Sequence, residues 1–147
     1  MSIISSIYDY LKTCQFLKTL DDVATIVYVD YSKNDETTTY TINVTPCNPV
    51  MKTYVTGDTV NQFLFTISSV EAYGDNVDLN TANIKFYEDF SKWIRENNKN
   101  GILPIMDDDK TPNKIKCLTD GYMLDNAADG TTARYVIQMQ LIYDQEN

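Results

Sequence analysis

The chain contains no histidine. Histidine is the side chain that titrates most readily near neutral pH, the commonest general base and a frequent metal ligand. Without it, Ser-His-Asp and Cys-His nucleophilic chemistry and imidazole-ligated metal centres are excluded. Carboxylates remain as possible acid–base groups, so an enzyme is disfavoured. Cysteine is scarce as well: Cys14, Cys47 and Cys117 are widely spaced and form no CxxC pair. Neither a zinc knuckle nor a thioredoxin-like motif can be built from them, and they read as reduced thiols of a cytosolic protein. Cations are in deficit, with 12 Lys and Arg against 21 Asp and Glu and a net charge of −9. Gripping a phosphate backbone or an anionic membrane draws its affinity from Lys and Arg, so both functions are disfavoured. No apolar run approaches the ~20 residues of a membrane span. The segment Met1 to Leu20 is interrupted by Asp9 and Lys12 and lacks a basic start, which argues against a signal peptide. P-loop, dinucleotide and nucleophile-elbow motifs do not occur.

What is present is globular. Hydrophobic residues make up 43% of 147 residues, and Gly and Pro are few, at five and four. One domain over residues 1–147 is expected, burying roughly two-thirds of the surface of its unfolded chain. Eleven residues are Tyr, a side chain with an apolar body and a polar tip that suits half-buried sheet faces and protein interfaces.

Ser2 to Leu20 reads as a helix, because Ile4, Ile7, Tyr8, Leu11, Cys14 and the pair Phe16–Leu17 recur at steps of three and four. Ser2 is its expected N-cap. Val23–Tyr31 is rich in β-branched and aromatic residues, and Thr38, Tyr40, Ile42 and Val44 alternate with polar residues; the two read as a hairpin. Pro46 and Pro49 interrupt pairing. A strand over Val50–Val55 turns at Gly57-Asp58, expected as a two-residue connection, into Val60–Tyr73. Phe63 to Ile67 is apolar on both faces and predicts a central strand covered on both sides. A second helix is expected from about Asn80 to Asn98, apolar through Ile84, Tyr87, Phe90 and Ile94. Its charged face is Lys85, Glu88, Asp89, Lys92, Arg95 and Glu96, and Asn97 to Gly101 acts as its stop. After a loop over Ile102–Asn113, a last hairpin pairs Ile115–Leu124 with Ala133–Asp144, where Tyr135, Ile137, Met139, Leu141 and Tyr143 alternate. These elements predict an α+β domain, a mainly antiparallel sheet with both helices packed on one face.

Three acidic constellations could carry chemistry. Asp107-Asp108-Asp109 could hold Mg²⁺ or Ca²⁺, but no calcium-loop Gly and Glu pattern accompanies it, so it reads as a solvated loop. Asp120, Asp125 and Asp129 could act as paired carboxylates, but connection tips are Asp-rich because Asp turns the chain. Asp9 and Asp30 carry no pattern at all. No catalytic, cofactor-binding or metal-ligating residue is expected, and no cofactor.

From Pro46 onwards an ordered series of features resembles a known family. It comprises Pro46-Cys47-Asn48-Pro49-Val50, Lys52 to Gly57, Gln62-Phe63-Leu64-Phe65, Ala72-Tyr73, and Phe86 to Phe90 with Trp93-Ile94. It continues through Leu103-Pro104, Lys110-Thr111-Pro112, Gly121 to Leu124, Thr132 to Tyr135, Ile137-Gln138 and Leu141. The series is similar to the minor capsid or tail-terminator proteins of tailed phages and phage-like particles of Gram-positive bacteria, over about two-thirds of the chain. The resemblance implies two helices on an antiparallel sheet and a homohexameric ring stacked on the last ring of a tail tube. Its partners would be the tube protein, a head-completion or collar protein and a sheath protein, in a DNA-containing phage or a headless bacteriocin assembled in the host cytoplasm. DNA would only pass through the bore. Interface residues are expected at Asp107, Asp108, Asp109, Tyr122, Asp125 and Asp129, with the 107–109 loop and the 125–130 connection the first candidates for the outward face. Rival readings are a tail-tube or head-completion protein, an acidic inhibitor that mimics DNA, and a small carboxylate-dependent hydrolase.

Overall fold

The computed structural model describes residues 2–14, 27–29, 39–72, 77–126 and 132–147. Along the chain these form α1 (Ile3–Leu11), β1 (Val27–Val29), β2 (Thr39–Thr45), β3 (Val50–Thr53) and β4 (Thr59–Ala72). They continue as α2 (Val77–Lys99), β5 (Lys110–Cys117), β6 (Tyr122–Asn126) and β7 (Thr132–Gln145). The protein is an α+β domain dominated by a seven-stranded, mainly antiparallel sheet.

Two long strands set the architecture. β4 and β7 pair over their whole length, from Thr59 opposite Gln145 to Ala72 opposite Thr132. Each is longer than the strands on its other edge, so two shorter strands share that edge. β2 and β3 divide the edge of β4, and β5 and β6 divide the edge of β7. β1 adds to β2 in parallel, Val27 opposite Tyr40. The hairpin expected between these two is therefore corrected. Adjacency in sequence suggested an antiparallel turn, but side-chain alternation carries no information about strand direction.

The alternation of β7 decides which face is apolar. Tyr135, Ile137, Met139, Leu141 and Tyr143 are all buried, and the register sets them beside Ser69, Ile67, Phe65, Phe63 and Asn61 of β4. Tyr40 and Ile42 of β2 and Ile115 of β5 extend the same face. Helix α2 lies against it, its Phe86 ring 5.3 Å from that of Tyr40 and its Tyr87 hydroxyl bonded to Ser69. Phe86, Tyr87, Phe90 and Ile94 are at most 6% exposed, and each such side chain contributes about 1.5–3 kcal/mol. On the opposite face Leu64 and Thr66 are half-buried, and the Gln140 amide donates to Gln62 at 2.7 Å. The full coverage expected for Phe63–Ile67 is thus met on one face only.

Several boundaries move. The first helix ends at Leu11, where Thr13 and Cys14 close a tighter turn onto Tyr10 and Leu11; Phe16 and Leu17 lie outside the described residues. Its Ser2 cap is present, the hydroxyl accepting from Ser5 N–H at 3.1 Å. α1 meets α2 through the Tyr10 and Trp93 rings, 5.2 Å apart. The β3–β4 connection is longer than two residues. Tyr54 N–H donates to Asp58 C=O and Gly57 N–H to Tyr54 C=O, with Gly57 at φ +92°, so Val55, Thr56 and Gly57 form a three-residue loop whose Gly takes the left-handed position. The strand expected over Ile115–Leu124 is two strands, and Pro112 lies inside β5 at an irregularity between Pro112 and Lys114. β5 is an edge strand, where a missing N–H is tolerated. Leu118 N–H still donates to Gln138 C=O at 2.7 Å; beyond it the chain leaves β7, and the Thr119 hydroxyl accepts from the Gln138 N–H at 3.1 Å in place of a backbone carbonyl. Gly121 then passes so close to Tyr87 that a Cβ there would stand 2.9 Å from the ring Cδ1.

Candidate interaction surfaces

The register separates the two acidic connections that the sequence grouped together. Lys110, next to Asp109, lies opposite Gln145, whereas Asn126 lies opposite Ala133 at the other end of β7. At about 3.3 Å per residue those rows are roughly 40 Å apart. The 107–109 loop and Asn126 therefore stand toward opposite ends of β7.

At the first end the acidic loop is held to its surroundings. Lys110 N–H donates to Asp107 C=O at 2.9 Å, and Glu146 N–H to Asp109 C=O at 2.8 Å. The Asp109 carboxylate accepts from the Gln145 amide at 2.7 Å and from the Lys110 ammonium at 3.3 Å. The Gln145 bond, then Lys110, hold its pKa below the usual carboxylate value. Asp108 is exposed. Asn147 N–H donates to the Asp58 carboxylate, so the base of the β3–β4 hairpin shares this end with the loop. That hairpin exposes Val50, Met51, Tyr54 and Val55, the last without any burial, and Lys52 lies 4.9 Å over the Tyr54 ring.

Of the other expected interface residues, Tyr122 and Asp125 stand on β6, and Tyr122 Oη accepts from the Gln138 amide at 3.3 Å. Tyr122, Met123 and Leu124 are exposed. Asp129 and Asp30 lie outside the described residues, and Asp9 is exposed on α1. Among the described residues, no group of three or more Cys, Asp or Glu is placed to hold a metal ion, and no helix is long and apolar enough to cross a membrane. No disulfide joins Cys14, Cys47 or Cys117.

A further surface was not read from the sequence. Between α2 and the open edge of β5 runs a cleft of about 510 Å³, lined by Ser91, Arg95 and Asn98 on the helix and by Lys114, Lys116 and Cys117 on the strand. A second pocket of about 350 Å³ continues it past Glu88 and Asp120. Asn98, expected as part of a helix stop, spends its side chain on the strand. Its Oδ1 accepts from Ile115 N–H at 3.0 Å and its Nδ2 donates to Ile115 C=O. One amide thus occupies both outward backbone groups of that edge residue. Burial pushes the Cys117 thiol pKa up, against the opposing effects of a hydrogen bond with Ser91 and the charge of Arg95. Neighbouring Asn97 is buried and donates to Tyr10 Oη at 3.1 Å; burial raises the Tyr10 pKa despite that bond. The available sequence signal was a row of Asn at the end of an amphipathic helix followed by alternating lysines in an edge strand.

Comparison with protein-family models and with curated proteins finds no match.

Proposed function

We propose that the chain is a structural protein that works by binding other proteins, as a ring capping the head-proximal end of a phage-type tail tube. The carrying observation is the β3–β4 hairpin, whose exposed Val50, Met51, Tyr54 and Val55 sit beside a closed core. Exposed apolar side chains gathered on one hairpin favour a contact surface for another protein. Two further features support the reading. The Thr59–Gln145 end of the sheet brings the apolar hairpin together with Asp58 and the 107–109 loop. A cap needs one side that complements the tube and another that rejects a further tube ring. The ordered sequence series that resembles tail terminators supplies the particular assembly.

In this reading the hairpin end meets the tube. Added to purified tubes, the protein caps one end, and Val55→Asp weakens capping by about 10–100-fold, the equivalent of ~1.5–3 kcal/mol for one buried valine. Negative-stain microscopy with labelled protein reads this directly. Decoration along the tube, or unimpaired capping by the variant, would overturn the assignment.

A further inference from the structure

Independently of the capping role, we infer that the cleft between α2 and β5 binds an extended acidic segment of a partner protein. In a chain of net charge −9, three cations converge on this cleft: Arg95, Lys114 and Lys116. Among the described residues none of the three makes a salt bridge, so their charge is available to a ligand. Ser91 and Thr119 add hydroxyl groups to the same lining.

The shape sets the kind of occupant. From Ile84 to Asn98 the helix wall runs about 21 Å at ~1.5 Å per residue, which matches roughly six residues of extended chain. The cleft and its continuation share Ser91, Arg95 and Asp120 and form one open trough. An open trough beside a strand suits an extended peptide. Addition of a further strand is blocked, however, where the Asn98 amide already occupies the N–H and C=O of Ile115. Recognition therefore falls to side chains, and the Arg95 guanidinium offers a fork that fits a carboxylate in two bonds. Charge also sets direction. Lys114 and Lys116 line only the cleft and Glu88 only its continuation, while Arg95 and Asp120 line both. The segment bound is acidic at one end and neutral or basic at the other.

The test uses the full chain and a fluorescein-labelled hexapeptide, Asp-Glu-Asp-Ala-Ala-Lys, with Asn-Gln-Asn-Ala-Ala-Lys as the uncharged control. Anisotropy at low salt should show the acidic peptide binding at least about 10-fold tighter than the control, with the preference fading as salt screens it. Arg95→Glu with Lys116→Glu should abolish the preference. Lys92→Glu, an exposed charge of α2 outside the cleft, should change affinity less than about 2-fold. Lys114→Gln with Lys116→Gln provides a milder pair should the reversal lower the melting temperature. Equal binding of the two peptides, or insensitivity to both cleft pairs, overturns the inference. So does a six-nucleotide single-stranded DNA that binds through the same residues more tightly than the acidic peptide.

Discussion

Removing one hydroxyl from the core tests how α2 is registered on the sheet. Tyr87 is 1% exposed, and its hydroxyl lies 2.5 Å from Ser69 Oγ and 3.3 Å from the Tyr135 carbonyl oxygen. Ser69 is itself 1% exposed, so water cannot replace a lost partner. Tyr87→Phe strands the Ser69 hydroxyl, and a buried polar group without its partner costs about 1–3 kcal/mol. Ser69→Ala is milder, about 0.5–1.5 kcal/mol, because the tyrosine hydroxyl keeps the Tyr135 carbonyl. With both changed, no stranded hydroxyl remains, and the double variant should lose about 1 kcal/mol less than the sum of the singles. Urea unfolding measures all four proteins. At a slope of about 2 kcal/mol/M, Tyr87→Phe should lower the midpoint by roughly 0.5–1.5 M. The order of the singles is part of the prediction, since it follows from which partner survives each deletion. Additivity within about 0.3 kcal/mol would refute the reasoning, because unconnected sites add.

Gly121→Ala should cost at least about 1–3 kcal/mol, read as a lower urea midpoint, since the new Cβ meets the buried Tyr87 side chain; an unchanged midpoint would mean that the close approach is absent. The depressed pKa of Asp109 gives stability that is present above the unfolded carboxylate pKa and lost as pH falls through the lower folded value. The stability difference between wild type and Asp109→Asn should therefore shrink on acidification from pH ~5 to ~2; a difference that grew there would contradict the Gln145 and Lys110 contacts. Because burial raises its pKa, Cys117 should react with iodoacetamide at pH ~8 more slowly than glutathione, with Cys14 and Cys47 replaced by Ser and Ala so that one thiol is followed; a faster reaction would place the thiol in an activating environment.

Elements with an uninterrupted periodic pattern were legible in the sequence. The five alternating residues from Tyr135 to Tyr143 give β7 and its buried face, and Tyr87, Phe90 and Ile94 give the inward stripe of α2. Features that depend on a distant partner were not. Leu118 to Gly121 are expected to continue the strand from Ile115, whereas the chain breaks there and Gly121 passes close to Tyr87. The parallel pairing of β1 could not be read, because alternation is the same in either direction. Asn98 looks like a helix stop until the backbone of Ile115 stands beside it. The acidic loops looked equivalent because composition does not record which end of a sheet a turn occupies.

The pairing of β4 with β7 also orders events in time. All seven residues from Gln62 to Ser68 are in place once β4 is made, yet their partners on β7 come last among the elements. At about 5–20 residues/s, roughly 4–15 s separate the synthesis of Ala72 from that of Gln145. Over that interval a 14-residue strand keeps one edge open, with Phe63-Leu64-Phe65 at its centre, a composition that favours pairing with the same segment of another chain. Closing the ladder also joins residues far apart in sequence, which slows folding. Slow or interrupted translation therefore exposes this chain to aggregation through β4, and a partner that shields that edge on the ribosome would raise the yield of folded protein.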